Sequence, residues 1–263
     1  MKRVDVTRGR VAGTILVLWI AGITLLARRQ FGASDAERLA KAAERIDPAT
    51  YYYAVYQSDT PVGFASSAID TSGRRLQATD YFRGRLVVHG TSRSIEVSSK
   101  AFLSRQFLLD SLVLRVQGIQ QSHIIARQHP PGLGGAEPVL PPSILPVAFL
   151  LTDGPRIGRS RSYEMYTPAT DAIALVTLRI AAESLFTVDD SAAYDSIGRH
   201  WVPAHSDTVR AWSIAPMTSG FTVWVDAQGR VVSAREPGGL HVVRMAYELA
   251  FRNWHLKHIS KSP

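Results

Sequence analysis

The sequence predicts a mainly β protein: an N-terminal single transmembrane helix, then a large antiparallel curved sheet or half-barrel with short covering helices. Three observations predict this. Residues 11–27 form an uncharged apolar run bounded by Arg10 and Arg28. From Thr50 onward, aromatic and β-branched segments recur about every ten residues with turn residues between them, the spacing of an antiparallel meander or barrel. In one apolar segment, residues 141–151, Pro142 fits a first helical turn and Pro146 limits any helix to a short piece, which would cover an open side of the sheet.

The apolar run comes first. At about 1.5 Å per residue it reaches roughly 26 Å, the short end of a bilayer span. Arg10 and Arg28 extend it by snorkelling. A helix satisfies its own backbone groups in lipid, so the segment can stand alone there. A cleavable signal peptide is the rival reading. Ala27 has Leu25 two residues before it, and Ala33 has Phe31, so neither offers the small-x-small cleavage pattern. The expected organisation is a basic tail (1–10), a transmembrane anchor (11–27), a juxtamembrane helix and linker (28–48) and a single β-rich domain (49–263).

Charge supports that organisation. The net charge is +8. Lys2, Arg3, Arg8 and Arg10 against Asp5, with Arg28 and Arg29, supply five of those eight charges, all beside the apolar run, where they meet anionic head groups. The rest of the chain is nearly balanced and has no basic patch interleaved with aromatics, so a nucleic-acid partner is not expected. Cysteine is absent, which excludes disulfides, thiolate catalysis and Cys-ligated zinc.

Ser34 and Glu37 form a capping box that opens a helix running to Ile46, where Asp47-Pro48 stops it. Residues 51–57 and 62–70 read as a strand pair around a turn at 58–61. Further strands are expected at 76–89, 94–102, 107–117 and 119–128. After the Gly-rich connector 129–135 and the covering segment, strands resume at about 160–166, 172–181, 184–188, 200–203, 208–214, 221–226 and 230–236. A terminal helix over 245–258 would pack Met245, Leu249, Trp254 and Leu256 on the sheet.

Few residues point to chemistry. His200 and His205 flank Pro203 and lack the His-x-x-x-His spacing of a zinc helix, so no metal is expected. No Gly-x-Ser-x-Gly elbow and no phosphate loop are present, so neither a hydrolase nor a cofactor is signalled. A Ser/His/Asp site formed in space remains open, because spacing alone cannot exclude one. Ile144, Leu145, Phe149 and Leu150 in the covering segment, with Trp224, are the candidates for contact with an apolar ligand. Asp226-Ala-Gln-Gly229 reads as a hairpin turn, with Asp226 capping local N–H groups. Arg244 and Glu248, four apart, read as a weak ion pair on one helix face.

The last third carries a constellation: Trp224, Asp226 and Gly229, then Gly239, then Arg244 and Glu248, with Tyr51–Tyr56 and Val62-Gly63 earlier. Together these resemble the β-rich exported domain that precedes bacterial transglutaminase-like modules, similar in outline to the half-barrels of periplasmic lipoprotein carriers. The resemblance implies a curved sheet and a place in the bacterial inner membrane with the domain facing the periplasm. The transglutaminase module itself is missing, and a chain without cysteine cannot supply its nucleophile. The expected function is a non-enzymatic, membrane-tethered envelope domain. Its partners would be membrane lipid through residues 11–27 and an acyl ligand or envelope protein. The alternatives are an assembly module for a separate transglutaminase-like enzyme and a hydrolase with a cryptic site.

Overall fold

The computed structural model describes residues 35–71, 75–88, 90–118, 123–128, 138–168, 170–216, 222–236, 239–252 and 254. The anchor expected at 11–27 and the capping residue Ser34 lie outside them. Among the described residues no helix is long and apolar enough to cross a membrane.

Helix α1 (Asp35–Ala43) leads into β1 (Ala49–Gln57), β2 (Thr60–Asp70), β3 (Arg75–Val88), β4 (Thr91–Ser104), β5 (Leu109–Gln117) and β6 (His123–Gln128). Then come β7 (Val139–Leu140), α2 (Leu145–Asp153), β8 (Ser160–Thr167), β9 (Ala172–Asp195) and β10 (His200–Pro216). Three short strands follow, β11 (Thr222–Val225), β12 (Val231–Arg235) and β13 (Leu240–Met245), and then a single wide turn of π-helix, Glu248–Arg252.

All these strands join one 13-stranded sheet in the order β6-β5-β4-β3-β2-β1-β13-β12-β11-β10-β9-β8-β7. It is two meanders fused where β1 pairs antiparallel with β13. Every neighbouring pair is antiparallel except β7 and β8. The sheet curls further than a half-barrel, into a nearly closed barrel-like form. The β2 and β3 backbones come close where Gly63 faces Gly84. A Cβ on Gly63 would lie 2.5 Å from the Arg83 carbonyl oxygen and 2.7 Å from the Gly84 Cα, so only glycine permits the approach.

The α2 sequence, Leu-Pro-Val-Ala-Phe-Leu-Leu-Thr-Asp, is apolar on all sides, and a helix of that kind must be enclosed. Pro146 sits in its first turn, where a missing N–H costs nothing, while Pro142 lies in the turn before it rather than in the helix. Gly154 ends it at φ 74° with its N–H on the Leu150 carbonyl. Around α2 gather Leu76, Leu103 and Leu112 from one meander and Tyr163, Ile180 and Ile214 from the other. Leu39, Ala43 and Ile46 join the same core, so α1 is docked into the domain rather than strung ahead of it.

The first helix ends at Ala43 rather than Ile46, and β7 is a strand not expected from the sequence. Two larger regions also differ from the sequence reading. The four short strands expected at 172–181, 184–188, 200–203 and 208–214 are two long ones, β9 and β10, paired from Leu178 with Pro216 out to Asp195 with His200. Bulges near Pro203 and between Ser213 and Ile214 absorb the irregularities that read as strand breaks. The outer part of this hairpin extends into solvent, with Ile197 at its tip 94% exposed. The helix expected from Met245 is also absent over its first residues, because residues 240–245 continue the sheet as β13. Among the described residues after it, Tyr247 is helical, Glu248–Arg252 form the π turn and Trp254 is again helical, while the rest of the expected helix, Leu256 included, lies outside them. The π turn packs Phe251 against Phe64, ring centroids 4.6 Å apart, on the outer face.

Candidate functional site

Alternation along the strands builds an inner face in lateral rows. Val97, Phe82, Ala65, Tyr53 and Arg244 stand side by side on β4, β3, β2, β1 and β13. The next row is Ser99, Asp80, Ser67 and Tyr51. Where these rows meet the turn leading into α2, they line a cavity of about 360 Å³ that includes Pro142, Ser143 and Pro146, with Val223 and Val242 completing the wall.

Asp80 is its polar centre. Ser67 Oγ donates to Asp80 Oδ1 at 2.7 Å, and Ser143 gives a second hydrogen bond from the turn before α2. Burial pushes the carboxyl upward from its usual 3.8, and the two serine bonds offset that only in part. Burial likewise raises the neighbouring Tyr53 hydroxyl, against the pull of Arg244 and with a smaller push from Asp80. The sign for stability follows from a folded-state pKa raised above the unfolded one. The ionisation penalty is absent below the ordinary Asp pKa and complete above the raised one. Asp80→Asn is therefore expected to be more stable than the parent at about pH 7.5, with the gap closing towards about pH 3.5. Urea midpoints at the two pH values check this. A gap that stays constant, or that favours the parent at the higher pH, contradicts it.

Beside the cavity lies a second polar knot. Asp226 opens the β11–β12 turn: its Oδ1 accepts the N–H groups of Gln228 at 3.0 Å and Arg230 at 2.9 Å. Its Oδ2 accepts Arg244 Nη1 at 2.8 Å, and the two side chains are only 16% and 8% exposed. The Arg244 guanidinium also lies 4.8 Å from the Tyr51 ring centre. Arg230 Nη2 donates to the Asp47 carbonyl at 2.9 Å. Arg244 thus sits on a strand and pairs with Asp226. Glu248, expected as its helical partner, lies beyond the end of β13 in the π turn. The ion pair with Asp226 bridges residues 18 apart in sequence, which no helical spacing rule anticipates.

The residues expected to touch an apolar ligand are divided. Ile144, Leu145, Phe149 and Leu150 are 0–4% exposed and face the core, so the segment meets the cavity through Pro142, Ser143 and Pro146 instead. Trp224 points the other way from Val223, as alternation requires. It lies beside Phe186, ring centroids 5.2 Å apart and planes tilted by 54°, in a separate outer cleft of about 960 Å³. Gly239 borders that cleft, and its carbonyl accepts the Ser58 N–H at 2.8 Å. Gly229 occupies the β11–β12 turn at φ 76° against the α2 backbone.

The outer cleft also holds Ser233 Oγ at 3.2 Å from His241 Nε2. Burial and Arg235 lower the His241 pKa, while Asp59 raises it. Among the described residues no carboxylate is hydrogen-bonded to the other ring nitrogen, so the orienting member of a triad is missing and the pair is a diagonal cross-strand contact. His205 bonds Asp190 at 2.8 Å on the exposed hairpin. Among the described residues no group of three or more His, Cys, Asp or Glu could hold a metal.

Asp80 escaped the sequence reading. A signal was present: Leu76, Ala78, Asp80 and Phe82 share one face of β3, and a carboxylate in an apolar row is out of place on a core-facing strand.

No family model matches the chain, and no curated protein matches it. Solved structures with a similar course include a β-barrel-like protein of domain of unknown function DUF1849 from Brucella abortus. Its TM-score is 0.40 at 9% identity, over 75% of this chain and 94% of that one. A DUF1089 family protein from Pseudomonas aeruginosa gives a TM-score of 0.38 at 11% identity, over 66% of this chain and 90% of that one. Neither is described as linked to a transglutaminase-like module.

Proposed function

We propose that this chain is a membrane-tethered cell-envelope domain that binds an acyl chain in the Asp80 cavity and performs no chemistry on it. The observation that carries this reading is the cavity itself. It is concave, walled mostly by apolar side chains and supplied with one small polar cluster, which is the composition of a small-ligand site. Its size, about 360 Å³, falls at the lower end of such sites. The apolar run at 11–27 supports the reading from the sequence side, since a tether would hold the cavity close to lipid.

Native mass spectrometry with lipid extraction on the full chain tests it. An acyl species should co-purify with the parent. It should be lost from Ala65→Phe, which fills the cavity from its β2 wall, at a melting temperature close to the parent's. A ligand-free mass for the parent, or retention of the same species by a folded Ala65→Phe, would sink the proposal and move attention to a protein partner.

A further inference from the structure

We infer that the Asp80 cavity selects acyl chains with an uncharged polar end, an ester or an alcohol, over the free carboxylate of a fatty acid. This rests on the acyl-binding reading and names the ligand class for that same cavity.

Among the described residues lining the cavity, Asp80 is the one formal charge. No lysine, arginine or histidine stands with it there to meet an anionic head. Of the two buried arginines nearby, neither of which lines the cavity, Arg244 pairs with Asp226 at 2.8 Å and Arg230 donates Nη2 to the Asp47 carbonyl at 2.9 Å. A ligand carboxylate would place a second acid beside Asp80, whose ionised form burial already disfavours, and like charges sharing a site disfavour double ionisation. The anion must then take up a proton or stay at the mouth, and either course weakens binding.

An ester carbonyl or a hydroxyl meets no such penalty. Its oxygen can accept from the hydroxyls of Tyr53 or Ser99, or from Asp80 when that carboxyl carries its proton. The polar cluster therefore works as a neutral head-group reader, and the apolar wall of Phe82, Val97 and Val242 takes the chain.

The test is competition on the full chain held in an amphipathic polymer and loaded with a fluorescently tagged decanol. Decanol, methyl decanoate and decanoate are titrated in at about pH 7.5, well above the ordinary carboxylate range. The alcohol and ester are expected to displace the probe at concentrations at least about tenfold below decanoate. In Asp80→Asn the gap should narrow to less than about threefold, through tighter decanoate binding. Equal displacement by all three in the parent overturns the selectivity and leaves acyl binding standing. A tenfold gap that persists in Asp80→Asn overturns the assignment to Asp80. A probe that binds but is displaced by none, or that never binds, overturns acyl binding and this inference with it.

Discussion

Replacing Arg244 with alanine is expected to destabilise the domain by roughly 3–5 kcal/mol, the cost of leaving a buried charge without its partner. Arg244 and Asp226 are 8% and 16% exposed along their side chains, so water cannot easily stand in for the lost guanidinium. The stacking of Arg244 over Tyr51 disappears in the same variant. Asp226→Asn should cost less, because its amide oxygen still accepts the two turn N–H groups that Asp226 Oδ1 now accepts. Combining Arg244→Ala with Asp226→Asn should cost less than the sum of the two, with a coupling of about 1–3 kcal/mol. Urea denaturation of the four species checks this. An Arg244→Ala variant within about 0.5 kcal/mol of the parent would place the pair among ordinary surface contacts and contradict the account.

Gly229→Ala is expected to cost roughly 2–4 kcal/mol, from two sources. The residue sits at φ 76°, where an L side chain is strained. Its added Cβ would also lie 2.4 Å from the Val147 Cα and 2.7 Å from the Pro146 carbonyl oxygen, both α2 backbone atoms that cannot swing aside. Gly158→Ala separates the two sources, since Gly158 has φ 83° but no described atom within 4 Å of the added Cβ. It should lose only about 1–2 kcal/mol, the conformational part. A thermal or urea series showing Gly229→Ala no worse than Gly158→Ala would mean that the turn does not brace α2. The same brace fixes Pro146 at the cavity wall, so Gly229→Ala should also loosen acyl binding.

Much of the β architecture was legible because its signals are local. The turn at 58–59, the Asp226–Gly229 turn and the alternation in β4 can each be read within ten residues. The short α2 followed from Pro146 and an unbroken apolar run. The long β9–β10 hairpin was not legible, since a bulge and a proline in a strand look locally like its end. The strand at 240–245 is not anticipated, since the expected strands stop at 236 and Met245 onward suggests a helical period. β13 pairs with β12 just before it and, on its other side, with β1 nearly two hundred residues earlier.

The site was less legible than the fold. Its polar contacts are cross-strand: Ser67 to Asp80, and Arg244 to Asp226. Local periodicity cannot assign such partners, and it set Arg244 against Glu248 instead. The covering segment was rightly singled out as apolar. Apolar character alone could not say that Ile144, Leu145, Phe149 and Leu150 fill the core while the prolines and Ser143 meet the cavity.

Photo-crosslinking on the full chain tests the central claim most directly. The probe is a decanol carrying a diazirine near the end of its chain, and peptide mass spectrometry maps the adducts. The account predicts adducts on the cavity wall, at Phe82, Val97 or Val242, that unlabelled decanol competes away and Ala65→Phe abolishes. Adducts concentrated on Phe186 and Trp224 in the outer cleft, or scattered adducts that decanol does not compete, would contradict it.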